Sequence, residues 1–259
     1  MRARARLIVE LGEYGRSVVR EIRSQTPLAL VPRRGVTGSF DPTVTVHLVG
    51  SASTPLAGDD IELDVRVEPG AALVLTGVAA AVALPGAGRS SSFTIRAEVG
   101  DGASLQYLPE PTVVTARADH RTLLDVTVQP GARLRCRDVL VAGRSGEPSG
   151  RYSGTTRIVD QGVVDDRRVL LHQTQQLGDG CLMASPAHLA GHRVLGTEVL
   201  VWGEDTADGA AGERWALSPL PGRGSLAIAV GSDAVSTGRA LSEAAAAHVG
   251  WRRHASPTR

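Results

Sequence analysis

A unit of about thirty residues recurs three times along the middle of this chain, and few folds accommodate that. Residues 61–67 (IELDVRV) run into Glu68-Pro69-Gly70-Ala71-Ala72-Leu73. Residues 93–99 (FTIRAEV) run into Gly100-Asp101-Gly102-Ala103-Ser104-Leu105, and residues 122–128 (TLLDVTV) into Gln129-Pro130-Gly131-Ala132-Arg133-Leu134. Each copy is an alternating stretch, a turn of the form x-[PD]-G-A-x-L, then a second apolar stretch. The turn glycines Gly70, Gly102 and Gly131 stand 32 and 29 residues apart, and Gly162 suggests a weak fourth copy 31 further on.

Alternation sends one row of side chains inward and the next outward, as a strand requires. Pro or Asp before Gly builds a tight turn in which Gly takes the positive φ. One such pair of strands cannot bury its own apolar face, whereas stacked neighbours can. A sandwich of similar hairpins fits the same pattern. The expectation is a mainly β, layered, solenoid-like fold built on a repeat of about thirty residues, with a C-terminal helix.

The flanks follow the same logic. Strands are expected over residues 4–11, 17–23, 44–49, 155–159, 168–172, 194–202, 214–217 and 225–230. Residues 73–84 (LVLTGVAAAVAL) fit a strand at the start and a short helix in the Ala run. Pro109 and Pro111 mark residues 105–114 as an exposed, bent segment that is no central strand. Residues 232–249 form the helix: Ser232 or Asp233 caps it and Gly250 stops it. No linker-like run interrupts the chain, so residues 1–259 are expected to form one unit with a frayed tail from about 252.

Hydrophobic residues make up 42% and aromatics 3%, so the core is aliphatic. The net charge of +1 points to neither a nucleic-acid partner nor a membrane surface. There is no Lys and no Asn, which excludes a Schiff-base lysine, a P-loop lysine and a Cys-His-Asn triad. Cys136 and Cys181 form no C-x-x-C pair, residues 7–9 are too short for a signal-peptide core, and no run of 18 apolar residues exists. A cytoplasmic protein with reduced, packed thiols is expected.

His188 and His192 have the four-residue spacing of a helical zinc pair, but Pro186 and Gly191 argue against a helix there, and no glutamate of an H-E-x-x-H motif lies between them. Residues 85–90 (PGAGRS) lack the lysine and context of a phosphate loop. The acidic positions carry more. Asp59 opens the first repeat, Asp138 lies in the strand closing the third, and Glu147 ends the loop after it. Asp138 shares strand phase with Leu134 and Leu140, which directs it inward. An inward carboxylate must find an Arg, water or a metal. Arg137, Arg144 and Arg151 are the nearest cations in sequence, and pairing with them is the structural alternative.

Taken in order, Gly58-Asp59-x-Ile-x-Leu-x-Val, Pro69-Gly70-Ala71-x-Leu73-x-Leu75-Thr76, Gly102-Ala103-x-Leu105-x-Tyr107-Leu108-Pro109-Glu110-Pro111-Thr112 and Gly143-Arg144 with Glu147 resemble the urease accessory protein family UreD (UreH). Pro27-Leu28 and the helix before Trp251-Arg252-Arg253 extend the resemblance over residues 27–253. Thr76-Gly77 stands where the family has Thr-Thr, Gln106 where it has an acidic residue, and residues 51–56 where it has a glycine-rich loop. The resemblance implies a layered β-scaffold with two helices and no catalysis. It implies binding of the urease apoprotein and of UreF and UreG, a GTPase, and transfer of nickel to urease without a tightly bound cofactor. It makes Asp59, Asp138 and Glu147 the candidates for a transient nickel path. Two other readings stay open: a metal-free β-solenoid binding module, and a hydrolase at an Asp138/Glu147/His172 edge.

Overall fold

The computed structural model describes residues 1–33, 41–86, 88–162, 167–178 and 180–255. The chain opens with a hairpin, β1 (Arg2–Leu11) and β2 (Ser17–Arg23), followed by β3 (Leu28–Pro32) and β4 (Val44–Gly50). The three repeats then supply β5 (Asp60–Val67), β6 (Ala72–Gly77) and β7 (Ala81–Ala83); β8 (Ser91–Val99), β9 (Ser104–Leu108) and β10 (Thr112–Val114); and β11 (Asp119–Val128) with β12 (Arg133–Ala142). Each first strand joins one sheet and each second strand another, and like strands from successive repeats pair in parallel. The layered, solenoid-like expectation is therefore correct.

Register carries the repeat spacing directly. Ile61 pairs with Phe93 and Phe93 with Thr122; across the turn Leu73 pairs with Leu105 and Leu105 with Leu134. Gly70, Gly102 and Gly131 take φ of 73°, 62° and 68°, where only glycine is free of Cβ strain. The turns bond to one another: the Gly70 N–H donates to the Asp101 carbonyl at 2.9 Å and the Gly102 N–H to the Pro130 carbonyl at 3.2 Å. The alanine after each glycine, Ala71, Ala103 and Ala132, points inward and is buried, as are Leu73, Leu105 and Leu134 one step further on. Burying such a leucine contributes about 1.5–3 kcal/mol, so the column of three is one part of the apolar burial that offsets the chain entropy lost on stacking.

The two prolines of residues 105–114 occupy the corner between β9 and β10, and both flanking strands turn out to be central. β9 lies between β6 and β12, and β10 between β7 and the far half of β12. Expecting no central strand there was wrong, because the prolines terminate the strands without entering their ladders. Residues 73–84 hold no helix: β6 ends at Gly77, Ala79 and Ala80 lie in the bend after it, and β7 begins at Ala81.

β13 (Arg151–Gln161) adds a last parallel strand to the first sheet, but β14 (Arg167–Leu177) returns antiparallel beside it. The chain thus reverses within one sheet, and the fourth repeat suggested by Gly162 does not form. Two short helices follow, α1 (Gly180–Ala184) and α2 (Pro186–Leu189). Pro186 stands in the first turn of α2, where its missing N–H costs nothing. Proline there starts one helical turn that the sequence expectation had not allowed, but the turn ends at Leu189, so His188 and His192 do not share a helix.

β15 (Val194–Val201), β16 (Ala210–Ala211), β17 (Trp215–Pro219) and β18 (Ser225–Gly231) extend the second sheet antiparallel from β12. α3 (Ala234–Ala247) packs Leu241 and Ala244 onto that sheet's outer face. Its cap is Asp233, whose carboxylate accepts from the Ser236 N–H at 2.8 Å. The helix ends at His248, not Gly250. The buried His248 ring bonds the Ser225 hydroxyl at 3.0 Å and the Trp202 carbonyl at 2.9 Å, and the chain turns there into α4 (Val249–Ala255). Residues 252–255, expected to fray, belong to α4; residues 256–259 lie outside the described set. Among the described residues no helix is long and apolar enough to cross a membrane.

Candidate functional site

Between the two sheets lies a pocket of about 260 Å³, walled by Ile61, Phe93, Ile95 and Leu124 on one side and by Tyr107 and Asp138 on the other. The inward phase of β12 places Asp138 there: Leu134, Cys136, Leu140 and Ala142 on the same face are all buried. Arg137 and Val139, one residue away, point out toward Glu198 and α3.

The Asp138 carboxylate has a tyrosine for company, not an arginine. The Tyr152 hydroxyl donates to Asp138 Oδ2 at 3.3 Å and shares a 2.6 Å bond with the Thr122 hydroxyl. Desolvation pushes the Asp138 pKa up to about 6, while the bonds from Tyr152 and the Val139 N–H pull the other way. Burial also raises the Tyr107, Cys136 and Tyr152 pKa values, so the uncharged forms prevail. Among the described residues no ion pair reaches Asp138. Its three neighbouring arginines are engaged elsewhere: Arg137 at 2.5 Å from Glu198, Arg144 at 4.0 Å from Glu147 and Arg151 at 3.0 Å from Asp119.

His120 also lines the pocket. Its side chain is buried, its Nδ1 lies 2.9 Å from the Ser91 hydroxyl, and desolvation lowers its pKa to about 4. The pocket thus has a neutral imidazole on the first-sheet side and a buried carboxylate of raised pKa on the second-sheet side, nitrogen and oxygen donors of the kinds that a borderline divalent cation accepts. His120 and Tyr152 escaped the sequence reading. The phase rule that turned Asp138 inward would have found His120, which shares its strand face with Leu124, Val126 and Val128. Nothing local marks Tyr152, because its partner comes from another strand.

Asp59 sits behind the pocket wall. Its carboxylate is 2.8 Å from the Met1 ammonium, accepts from the Leu56 N–H at 2.9 Å and accepts from the Thr54 hydroxyl at 3.2 Å. Burial raises its pKa, but the Met1 and Leu56 bonds outweigh that and the net shift is downward. Thr54 itself lines the pocket, so Asp59 reaches it through one hydroxyl. Glu147 lies elsewhere. It accepts from the Ala116 and Arg144 N–H groups, both at 3.1 Å, and braces its loop against residues 114–118. The structure brings Asp138 and, at one remove, Asp59 to the pocket and leaves Glu147 outside its walls. His172 is exposed on β14, opposite Arg157. His188 lies in α2 and His192 just beyond it, and the buried His188 Nε2 has no hydrogen-bond partner among the described residues. Among the described residues no three His, Cys, Asp or Glu side chains converge on one point.

A model of the UreD urease accessory protein family matches residues 1–259. The chain is 49% identical over 250 residues to urease accessory protein UreD 1 of Saccharopolyspora erythraea, covering 96% of each chain. It is 43% identical over 262 residues to urease accessory protein UreD of Parafrankia sp., covering 93% of this chain and 86% of that one. It is 35% identical over 253 residues to urease accessory protein UreD of Streptomyces coelicolor, covering 95% and 96%. These relatives are named as accessory proteins and not as enzymes. With the layered β-stack and its motif order, they show that the chain belongs to the UreD urease accessory protein family.

Proposed function

We propose that this chain is a urease maturation scaffold in the cytoplasm that binds the urease apoprotein together with UreF and the GTPase UreG, and that nickel passes along its interior pocket. The observation that carries this reading is Asp138: a carboxylate inside a β-stack, held by a tyrosine hydroxyl and without an ion-pair partner among the described residues. Burying such a group destabilises the fold, and a divalent cargo supplies a reason to keep it. Asp138, His120 and the pocket hydroxyls offer loose, mixed oxygen and nitrogen coordination, suited to an ion that must leave again. Asp59 stands near this path through Thr54, and Glu147 shapes the loop following β12.

Two arms test it. Co-expressed with UreF and UreG, the chain co-purifies with both and raises urease activity only with nickel. Asp138→Ala leaves the yield of that complex within about twofold of the parent and lowers activation by about tenfold or more, a loss of at least about 1.4 kcal/mol in transfer. Parallel loss of complex and activation, or no loss of either, removes Asp138 from the path. Full activation in a strain lacking this chain refutes the maturation role itself.

A further inference from the structure

Among the described residues five strands have a strand neighbour on one side only: β2 and β14 in the first sheet, and β3, β7 and β16 in the second. An edge strand presents unpaired backbone N–H and C=O groups, and proteins blunt such edges with charge, proline or brevity. β2 carries Arg20, Glu21 and Arg23, β3 ends in Pro32, β7 is three residues long and β16 two. β14 is eleven residues long, and residues 169–177 (VLLHQTQQL) contain no Asp, Glu, Arg, Lys or Pro. Among the described residues its only strand partner is β13, and Val169 on it is 47% exposed.

The sequence of this edge says what fits it. Residues 171–177 read Leu-His-Gln-Thr-Gln-Gln-Leu, a palindrome about Thr174 apart from the His172/Gln176 pair. An isologous interface demands that symmetry: whatever residue i meets must meet residue i in return. We propose that β14 pairs antiparallel with β14 of a second copy of this chain, about a two-fold axis through Thr174, joining the two first sheets into one. In this register Leu171 faces the partner's Leu177, Gln173 faces the partner's Gln175 and His172 faces the partner's Gln176. Apolar meets apolar and amide meets amide, the matched cross-strand pairs that stabilise a ladder. Antiparallel pairing also sends the two Arg167–Arg168 ends to opposite ends of the seam. Parallel pairing would set each arginine beside its own equivalent, which is unfavourable.

One strand pair covers less than the ~1,600 Å² of a standard interface, so the association belongs in the micromolar range. Sedimentation velocity of the full chain from about 1 to 200 µM is the test. The expected result is a mass rising from one chain toward two. Thr174 is exposed and, among the described residues, its hydroxyl bonds only that of Thr155, at 2.9 Å, so Thr174→Lys and Thr174→Glu are expected to keep the fold, which circular dichroism checks. Each variant alone sets like charges face to face at the axis and weakens dimerisation about tenfold or more. An equal mixture of the two restores it, which no loss of folding would do. A parent that stays monomeric at the highest concentration overturns the proposal, even if β14 binds some other protein. So do variants that dimerise like the parent, or a mixture that fails to recover. None of these readings involves urease or nickel.

Discussion

Asp138 shows what one residue can and cannot announce. Its inward direction followed from strand phase alone, because Leu134 and Leu140 bracket it at even spacing. Its partner did not. The arginine pairing was a fair expectation from charge, but Arg137 is one residue off phase and faces Glu198, so the carboxylate meets Tyr152. The consequence is measurable. With a folded pKa of about 6 against 3.8, native Asp138 holds its proton where the unfolded chain has lost it. Folding stability from this group is therefore fully present below pH 4 and is lost as pH rises to about 6. Asp138→Asn, which mimics the protonated form, should match the parent near pH 3.5 and exceed it by about 1–3 kcal/mol at pH 8, read from denaturant melts. His120 has the opposite sign. Its depressed pKa means that stability present above pH 6.5 is lost as pH falls toward about 4.

At the scale of an element, the turn x-[PD]-G-A-x-L does three jobs. Its glycine takes the left-handed φ, its alanine enters the core, and its leucine joins a column running through the stack. These jobs separate by substitution. Leu105→Ala, in the middle copy, removes a side chain 2% exposed between two others and should cost about 2–5 kcal/mol. Gly102→Ala strains only the backbone, since φ is 62° and nothing lies within 4 Å of the added methyl, and should cost about 1–2 kcal/mol. A loss below about 1 kcal/mol for Leu105→Ala in thermal melts would mean that the column is misassigned. The prolines of residues 105–114 carry a related lesson. Their restriction on ladder hydrogen bonding is local, so they forbid strand at positions 109 and 111 and say nothing about the strands that meet there.

Across the whole molecule, parallel coils place sequence-distant strands side by side, and protection should follow depth in the stack. β8, β9, β11 and β12 have strand neighbours on both sides, whereas β2, β3, β14 and β16 end their sheets. Amide hydrogen exchange of the full chain should be slowest in the first group by about two orders of magnitude or more, with α4 among the faster segments. Dimerisation through β14 would single out that strand: its protection would rise with protein concentration while that of β2 stayed constant.

The stacked repeat, its spacing of 32 and 29, the buried alanine–leucine pairs and the helix over α3 were all legible in the chain, because each rests on periods of two and 3.6 and on glycine's access to positive φ. Those constraints act within a few residues and leave their mark locally. The reversal at β13–β14 in place of a fourth coil, the tyrosine across from Asp138, the ammonium on Asp59 and the helix break at His248 were not legible. Each depends on which groups meet across long stretches of chain: Met1 with Asp59, Ser225 and Trp202 with His248. Such meetings are settled only when the sheets close around a shared core, where a buried polar group takes whichever partner the packing brings within reach.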